Sequence, residues 1–205
     1  MFTPKSFAVN DDATLYEFIS QHNLATFITI KAELPVITHV PLIVVRKENQ
    51  IFLEGHMAQQ NPHALLLDKT SISTAVFTGP HAYISHKSYR QQPSVPTWNY
   101  TAVHVQGPVS VMTPAELNDH LRRSLELYES EGDDIDVEYK NRLSQLIIGF
   151  KLEVKAIQGK FKLSQNKSEE EQRRVIDGLN KSGLIEDKML KEFMEGRLRK
   201  AEKSE

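Results

Sequence analysis

The stretch from Pro96 to Gly107 constrains the fold most, because its side chains alternate as in a half-buried β-strand. Pro96 disfavours the helical conformation of the residue before it, so the chain enters the stretch extended. Aromatic, β-branched and polar residues then follow with the period of two that is typical of a strand. Side chains of one parity point to one face of a strand. One face of this predicted strand carries Trp98, Tyr100, Ala102 and His104.

Two interpretations of this aromatic face stay open. Trp98 is the only tryptophan of the chain, and an indole in line with a histidine suits a flat ring ligand. Aromatic side chains more often serve burial in a core or at an interface, and the spacing by itself favours that second interpretation. The alternation does not decide between a ligand and simple burial.

The composition indicates a globular protein of one domain, or of one domain with an appendage. The 205 residues are 40% apolar and 25% charged, and the formal net charge is −2. This charge argues against a dedicated DNA-binding protein with a global basic field. The absence of cysteine excludes disulfides, thiolate catalysis and cysteine-based metal sites. There is neither a signal peptide nor an apolar run of roughly 18 residues, so we expect a cytoplasmic protein without a membrane partner.

The strand pattern predicts a mainly-β fold, a small closed β-barrel with helices attached. Short β-rich runs joined by short turns predict six or seven mostly antiparallel strands. Two of these strands are predicted over 72–78 and 82–85, with Gly79-Pro80 as a break between them. Several short antiparallel strands with helical connections are most simply arranged as a barrel.

Helix signals divide the chain into two predicted parts. Asn61-Pro62 predicts a helix start, and that helix should run to about Asp68. Capping boxes at Thr113 and Ser168 predict two further helix starts. The last helix is predicted over 186–200, and its inward-facing side chains should be Met189, Leu190 and Phe193. The predicted domains are a barrel over 1–166 with inserted helices and a C-terminal helical extension over 167–205.

Histidines are the first candidates for a binding site. There are eight, and most lie between His39 and His104, but none belongs to a spaced metal-binding motif. The sequence therefore favours histidines that are separate from one another over a metal site built from several of them. His39 and His104 are the two that we expect nearest a ligand, because His104 lies on the face of Trp98 and His39 lies in the predicted strand that contains Pro41.

Two other segments can be interpreted either as parts of a binding site or as ordinary structural features. Gly55 to Asn61 lies between a strand and a helix, where backbone amides can hold a phosphate, but it can equally be an ordinary turn. Lys160 and Lys162 face the same way on a predicted strand. They either meet an anion or form a solvated edge that discourages aggregation.

Common catalytic and DNA-binding signatures are absent from the sequence. No Gly-x-Ser-x-Gly elbow, P-loop or Gly-x-Gly-x-x-Gly turn occurs, so serine hydrolysis, nucleotide triphosphate hydrolysis and Rossmann-type binding lack support. No helix-turn-helix pattern with a clearly basic recognition helix occurs either.

Several ordered motifs between Met1 and about Leu179 resemble the PaiB type of FMN-binding negative transcriptional regulators. Their order and spacing make the resemblance far more specific than any one motif. The motifs are Thr38-His39-Val40-Pro41-Leu42, Gly55-His56-Met57-Ala58 through Asn61-Pro62, Phe77-Thr78-Gly79-Pro80-His81-Ala82-Tyr83-Ile84-Ser85, Pro96-Thr97-Trp98-Asn99-Tyr100 leading to Val103-His104-Val105, Ile148-Gly149-Phe150, and Gly159-Lys160-Phe161-Lys162-Leu163-Ser164-Gln165-Asn166.

The resemblance implies an FMN-binding split β-barrel that forms a homodimer with the flavin between its subunits. It also implies repression of sporulation and of extracellular protease production in spore-forming bacteria. In related flavin barrels the segment matching 55–61 contacts the phosphate, and the strand matching 38–42 lies along the ring. The cofactor-binding residues implied by position are Thr38, His39, Val40, Gly55, His56, Met57, Trp98, Asn99, Lys160 and Lys162.

Two departures from the family pattern bear on the cofactor. Gln59-Gln60 stands where the family commonly has Arg-Ala, and an amide supplies no charge to a phosphate. Ser85-His86-Lys87-Ser88-Tyr89 stands where the family tends to read Ser-Pro-Ser-Trp-Tyr, so a tryptophan is lost near the expected site. Both departures predict FMN binding that is weak or lost.

Three functions remain open from the sequence. The first is a dimeric regulator that acts on DNA or through a regulatory protein partner. The second is an FMN-dependent oxidoreductase on the same barrel, in which the protein orients the flavin and His39 and His104 are acid–base candidates. The third is an apo-barrel that acts by protein–protein contact. No catalytic motif points beyond a flavin site, so an enzyme is less favoured than a regulator.

Overall fold

The computed structural model of the chain describes residues 1–67, 72–129 and 135–202. Within these residues there are nine strands, five α-helices and three short 3₁₀ helices. The strands are β1 Ala8–Val9, β2 Leu24–Lys31, β3 Leu34–Pro41, β4 Ile43–Lys47, β5 Gln50–Ala58, β6 Ile72–Ile84, β7 Thr97–Val111, β8 Ile147–Glu153 and β9 Ala156–Lys162. The helices are α1 Asp12–Gln21, α2 Pro114–Tyr128, α3 Val137–Ser144, α4 Glu169–Ser182 and α5 Ile185–Glu202. The 3₁₀ helices are Lys5–Phe7, Pro62–Leu66 and His86–Ser88.

The strands form a sheet in the order β3-β2-β6-β7-β8-β5-β4, with β9 beside β7 and β1 beside β9. The pairs β2–β3, β2–β6, β4–β5, β5–β8 and β7–β8 are antiparallel, as short connections require. Ala32 and Glu33 form the two-residue turn between β2 and β3, and both have the positive φ that tight hairpin turns use. The mainly-β architecture with attached helices is confirmed. The predicted closure is wrong, because the described strand path does not return from β4 to β3.

The chain forms two compact units. The first comprises Met1–Leu15, Thr78–Val103 and Gln158–Glu205, and the second comprises Tyr16–Phe77 and His104–Ile157. The core of each unit is aromatic and aliphatic. In the first unit the rings of Phe161 and Phe193 meet edge to face at 5.3 Å between centroids, and in the second unit Phe27 and Phe150 lie 4.9 Å apart. The division into 1–166 and 167–205 stays a prediction.

Strand β6 is continuous, although the sequence predicts two short strands with a break at Gly79-Pro80. The proline carbonyl accepts a hydrogen bond from the Thr101 hydroxyl at 3.1 Å. Proline lacks only the amide donor and keeps its acceptor, so it is tolerated wherever the strand does not need that donor. The predicted break at this position is therefore wrong.

The predicted helix caps are confirmed. Thr113 and Glu116 form a reciprocal capping box at the start of α2, and the Ser168 hydroxyl accepts from the Glu171 amide at 3.3 Å at the start of α4. Asn61 caps the 3₁₀ helix Pro62–Leu66 through the amide of His63. The helix ends at Leu66, because Leu67 has a non-helical ψ of 61°, so it is shorter than the predicted stretch to about Asp68, a residue that lies outside the described ones.

Helix α5 is confirmed, and so are two of its three predicted inward-facing residues, because Leu190 is buried and Phe193 packs against the buried ring of Phe161. Leu190 and Met194 are buried, whereas Met189 is 48% exposed. Each residue turns the helix by 100°, so an error of one position moves a side chain from the core to solvent. None of the described helices has the length and apolar content needed to span a bilayer.

Candidate functional site

The aromatic residue Trp98 lies on an open surface of the first unit, at the start of β7. Its side chain is 50% exposed, so the indole is not a core residue. The ring of His81 lies 5.8 Å from it and the ring of Tyr83 lies 6.4 Å away, both from β6. We call Trp98, His81 and Tyr83 the Trp98 cluster. Exposed rings that hold one another in place present apolar area to a ligand at little entropic cost.

Two lysines of β9 border the same strand. The Lys162 ammonium group donates to the Trp98 carbonyl at 2.9 Å and to the Thr97 hydroxyl. Burial lowers the pKa of Lys162. Lys160 donates to the Phe2 carbonyl at 3.1 Å and lies 5.1 Å from the ring centroid of Tyr100, in a cation–π contact. The structure therefore brings together Trp98 and Lys162, two of the predicted cofactor-binding residues.

Asn99 lies on the opposite side of β7 from Trp98 and is fully buried. Its amide donates to the Ser164 hydroxyl at 3.0 Å, and that hydroxyl also lies 3.1 Å from the Tyr89 hydroxyl. Ser164 has a positive φ, and its buried hydroxyl is satisfied by these two partners. Asn99 is therefore a structural residue in the interior of the first unit and does not line the open surface at Trp98.

Thr38 lies in a second network, within the second unit. Its hydroxyl accepts from the Asn61 amide at 3.3 Å and lies 2.9 Å from Nδ1 of His63. The other ring nitrogen of His63 lies 2.8 Å from the Thr29 hydroxyl. Burial lowers the pKa of this histidine, which is fully enclosed. The predicted site residue Thr38 and the predicted phosphate segment therefore meet directly through Asn61, and His63, which the sequence pattern did not single out, also contacts Thr38.

The predicted phosphate segment has no free charge in this structure. No lysine or arginine occurs between 55 and 66. The amide of Gln59 donates to the Leu146 carbonyl at 2.9 Å, the amide of Asn61 donates to the Ala58 carbonyl, and the amide of His63 donates to the Asn61 side chain. These donors are satisfied within the protein, as in an ordinary strand-to-helix turn.

Three more predicted site residues are packed inside the second unit. Val40 and Met57 are buried, and Gly55 lies where a Cβ atom would be 2.6 Å from Leu42 Cδ2 and 3.0 Å from the Pro41 carbonyl oxygen. A side chain at 55 would force Leu42 to move and would crowd the backbone oxygen of Pro41. Glycine at 55 therefore allows the close approach of β5 to the chain at Pro41.

His56 lies against His120 of α2, on the other face of β5. The Nδ1 atom of His56 and the Nε2 atom of His120 are 3.0 Å apart, although 64 positions separate the two residues. The Nδ1 atom of His120 lies 3.8 Å from a carboxylate oxygen of Glu54. Glu54 and His120 are only 1% and 2% exposed. The three side chains form a row that leads from a half-buried imidazole to a buried carboxylate.

Glu54 is balanced by two cations. It forms ion pairs with Arg123 and, at 3.1 Å, with Lys47. Among the described residues, the buried Nδ1 of His120 and Nε of Arg123 have no hydrogen-bond partner. We call Glu54, Lys47, Arg123, His120 and His56 the buried charge cluster. The sequence pattern identified only His56, because the cluster forms only when β4, β5 and α2 come together in the folded chain.

The histidines of the buried charge cluster are neutral near pH 7. Burial and the neighbouring His56 lower the pKa of His120 to about 4. Burial also lowers the pKa of His56. One neutral imidazole donates and the other accepts, so the 3.0 Å contact is a single hydrogen bond. Glu54 is then the charge that Arg123 and Lys47 compensate.

An exposed apolar surface covers the outer side of β2 and β3. In the antiparallel register Leu24, Ile28 and Ile30 lie opposite Pro41, Ile37 and Pro35. Cross-strand partners share one side of a sheet, so these side chains form one patch, which we call the β2–β3 face. Leu24, Ile30 and Ile37 are 53% to 61% exposed. The predicted site residue His39 lies on this face, opposite Thr26.

Comparison with known families identifies the class of the protein. The sequence matches a family model described as "Putative FMN-binding domain" over residues 1–156, which is most of the chain. The chain belongs to this family. It is also 34% identical over 211 aligned residues to protease synthase and sporulation protein PAI 2 of Bacillus subtilis, an alignment that covers 98% of this chain and 99% of that protein. The PaiB-type resemblance is confirmed.

More distant similarities are found to a fungal protein in sequence and to solved structures in fold. An uncharacterised protein of Emericella nidulans is 29% identical, with 71% of this PaiB-type chain and 75% of the relative covered. A conserved hypothetical protein of Mycobacterium tuberculosis superposes with a TM-score of 0.60 at 14% identity, covering 82% of this chain and 94% of the other. An FAD and heme binding protein of Mycobacterium smegmatis superposes with a TM-score of 0.56 at 12% identity, covering 81% and 78%. The predicted split-barrel fold class is confirmed.

Proposed function

We propose that this PaiB-type protein is a homodimeric, FMN-binding negative regulator of sporulation and protease production. The observation that carries the proposal is the match to the FMN-binding domain family, together with the near full-length similarity to the Bacillus subtilis protein. The name of that relative refers to protease synthase and to sporulation. Regulation, rather than catalysis, is favoured because the name of that relative refers to sporulation and the sequence carries none of the common catalytic motifs.

The chemistry of the first unit supports a flavin site at the Trp98 cluster. Exposed rings suit stacking against the flat isoalloxazine ring, and the ammonium groups of Lys160 and Lys162 supply positive charge for a phosphate. Trp98 and Tyr83 would contact the ring. When bound, the flavin would supply a redox centre whose charge changes on reduction. The chain's own part is to orient the ring and to hold its phosphate.

The β2–β3 face supports pairing of two chains. Contiguous apolar surface of this kind on a soluble protein marks an interaction site, because leaving it in water costs free energy. In the described pairings β3 is hydrogen-bonded as a strand only to β2, so it is an edge strand that needs covering. A two-fold pair would place the same patch of both copies together. The face also carries His39, one of the residues that the family resemblance implies for the flavin.

Titration with FMN tests the flavin site. We expect the wild-type protein to quench FMN fluorescence on binding, and the substitution Trp98→Ala to weaken the affinity about tenfold, because stacking on an aromatic ring contributes roughly 1–3 kcal/mol. The measurement is a fluorescence titration with far-UV circular dichroism of both proteins. Tyr139→Ala, which removes a similarly exposed ring from α3, should leave the affinity unchanged. A colourless protein that takes up no FMN would remove the flavin from the proposal.

A charge placed on the β2–β3 face tests the dimer and the regulatory role together. Ile37→Asp should weaken dimerisation about 100-fold, because the symmetric contact would bury two unpaired carboxylates. Light scattering coupled to size exclusion measures this, and Leu127→Asp on α2 is a control at similar exposure. In the source organism, deletion of the gene should raise secreted protease activity, and the wild-type gene but not the Ile37→Asp gene should lower it again. A wild-type monomer at micromolar concentration contradicts the proposed dimer.

A further inference from the structure

A charged cleft of about 320 Å³ lies in the first unit, where α4 faces the 3₁₀ helix His86–Ser88. Neither the Trp98 cluster nor the buried charge cluster contributes a side chain to it. We call it the basic cleft. Its lining residues are Lys87, Ser88, Arg174, Asp177, Gly178 and Lys181.

The spacing of the helical residues explains why their charges meet. Arg174, Asp177 and Lys181 are three and four positions apart, so they share one face of α4. Gly178 lets the 3₁₀ helix approach this face, because a Cβ atom at 178 would lie 2.9 Å from the Ser88 hydroxyl oxygen. The close approach adds Lys87 and Ser88 to the helical charges.

The three cations of the basic cleft lack the ion pairs that several of their neighbours form. Three other cations of α4 and α5 are paired at helical spacing, namely Arg173 with Glu169 at 2.6 Å, Lys191 with Glu195 at 3.6 Å and Arg199 with Glu195 at 4.0 Å. Among the described residues, the side chains of Lys87, Arg174 and Lys181 form neither an ion pair nor a hydrogen bond. Asp177 offsets one of the three charges, so the cleft keeps a surplus of two positive charges.

The lining also indicates what kind of anion the cleft suits. It contains no aromatic ring and no aliphatic residue that could stack on a base or a flavin. Ammonium, guanidinium and hydroxyl groups are the donors that bind phosphate oxygens. A phosphate dianion would balance the surplus of two positive charges. A concave site focuses such a field even when the whole protein carries a net charge of −2.

We propose that the basic cleft binds a phosphate group. The phosphate belongs either to a nucleic acid backbone or to a phosphorylated small molecule, and both would use the same three cations and the Ser88 hydroxyl. The site is separate from the Trp98 cluster and does not rest on the proposed flavin function. Binding there would give a regulator a contact for DNA or for a signalling metabolite.

Two probes and two matched variants test this proposal. The probes are inorganic pyrophosphate, followed by isothermal titration calorimetry, and a short fluorescein-labelled DNA duplex, followed by anisotropy over a salt series. The test variant combines Lys87→Ala, Arg174→Ala and Lys181→Ala. The control variant combines Arg173→Ala, Lys191→Ala and Arg199→Ala, which removes the same total charge from ion-paired positions. Alanine is well tolerated at exposed helical sites, and the single variant Lys87→Ala gives the same comparison should the triple variant fold poorly.

The expected result is binding of at least one probe by the wild-type protein and by the control variant. The test variant should lose at least about tenfold in affinity for that probe. Tight pyrophosphate binding without DNA binding identifies a small phosphorylated ligand. DNA binding whose log–log salt slope falls by about three in the test variant identifies the nucleic acid backbone.

Three results would overturn the proposal. The wild-type protein could bind neither probe at low salt, or the two triple variants could bind equally well. The third result is loss of FMN uptake by the test variant, which would make the cleft part of the flavin site. If the protein binds no FMN but binds pyrophosphate at these residues, the flavin proposal fails and the proposal for the basic cleft stands.

Discussion

Replacing Arg123 by methionine is expected to lower the free energy of unfolding by about 3–5 kcal/mol, because it leaves a buried carboxylate without its nearest cation. Glu54 is only 1% exposed, so water cannot replace the guanidinium. Lys47 remains at 3.1 Å, but its side chain is 43% exposed and serves as a single donor. Methionine keeps the aliphatic stem of the arginine, so the loss reports the charge and not a cavity. Urea denaturation of the wild-type protein and of Arg123→Met measures this difference in the free energy of unfolding.

Replacing Glu54, the acidic partner of Arg123, should lower the free energy of unfolding by less than replacing Arg123 does. Glu54→Gln is expected to cost about 1–2 kcal/mol, because Arg123 and Lys47 are 28% and 43% exposed and can turn toward water once the carboxylate is gone. The double variant Glu54→Gln with Arg123→Met should then be more stable than Arg123→Met alone. A double-mutant cycle measures this coupling between the two residues. The asymmetry follows from which member of the pair is buried.

A neighbouring arginine supplies the control. Arg122 lies on the same helix, is 60% exposed and pairs with Glu126 at 2.7 Å. Arg122→Met should change the free energy of unfolding by less than about 0.5 kcal/mol, as is usual for exposed ion pairs. Equal losses from Arg122→Met and Arg123→Met would show that the buried carboxylate does not depend on its cation.

The second large effect is a loss of stability in mild acid that depends on His120. The pKa of His120 is about 4 in the folded protein and 6.5 in the unfolded chain. Between these values the unfolded chain binds a proton that the folded protein does not, so stability falls as the pH falls from 6.5 towards 4. Above pH 6.5 the group has no effect, and below pH 4 its penalty is constant. The full penalty is on the order of 3 kcal/mol.

The contribution of His120 can be separated from that of other groups by comparing variants. Carboxylates also titrate in this range, so the informative quantity is the difference between the wild-type protein and His120→Gln in chemical denaturation at several pH values. The wild-type protein should lose about 1.4 kcal/mol per pH unit more than the variant across this window. His86→Gln, at an exposed histidine, should retain the wild-type slope. Parallel profiles for the wild-type protein and His120→Gln would show that His120 titrates alike in both states.

Local signals in the sequence were sufficient for most elements of the fold. The capping boxes at Thr113 and Ser168 and the alternation after Pro96 depend only on neighbours along the chain, and the structure has these elements where they were predicted. The ordered family motifs likewise identified the family. The predicted break at Pro80 was wrong, because a local rule cannot know that the strand there needs an acceptor and not a donor.

The candidate site depended on information that the sequence does not contain locally. The parity of β7 separated Trp98 from Asn99, but only packing decided that the indole is exposed and the amide is buried against Ser164. Several implied site residues proved to be core positions for the same reason. Whether a side chain faces solvent depends on what covers its strand, and that is a property of the assembled sheet.

The sequence by itself determined the family, the β-rich pattern and the helix starts, because each of these depends on neighbouring residues or on motif order. Only the tertiary structure brought His56 to His120, 64 positions away, and set Lys87 against the charged face of α4. These groups act through hydrogen bonds and electric fields that reach a few ångströms in space, whatever their separation along the chain. The chemistry of this protein therefore follows from contacts that appear only once the chain has folded.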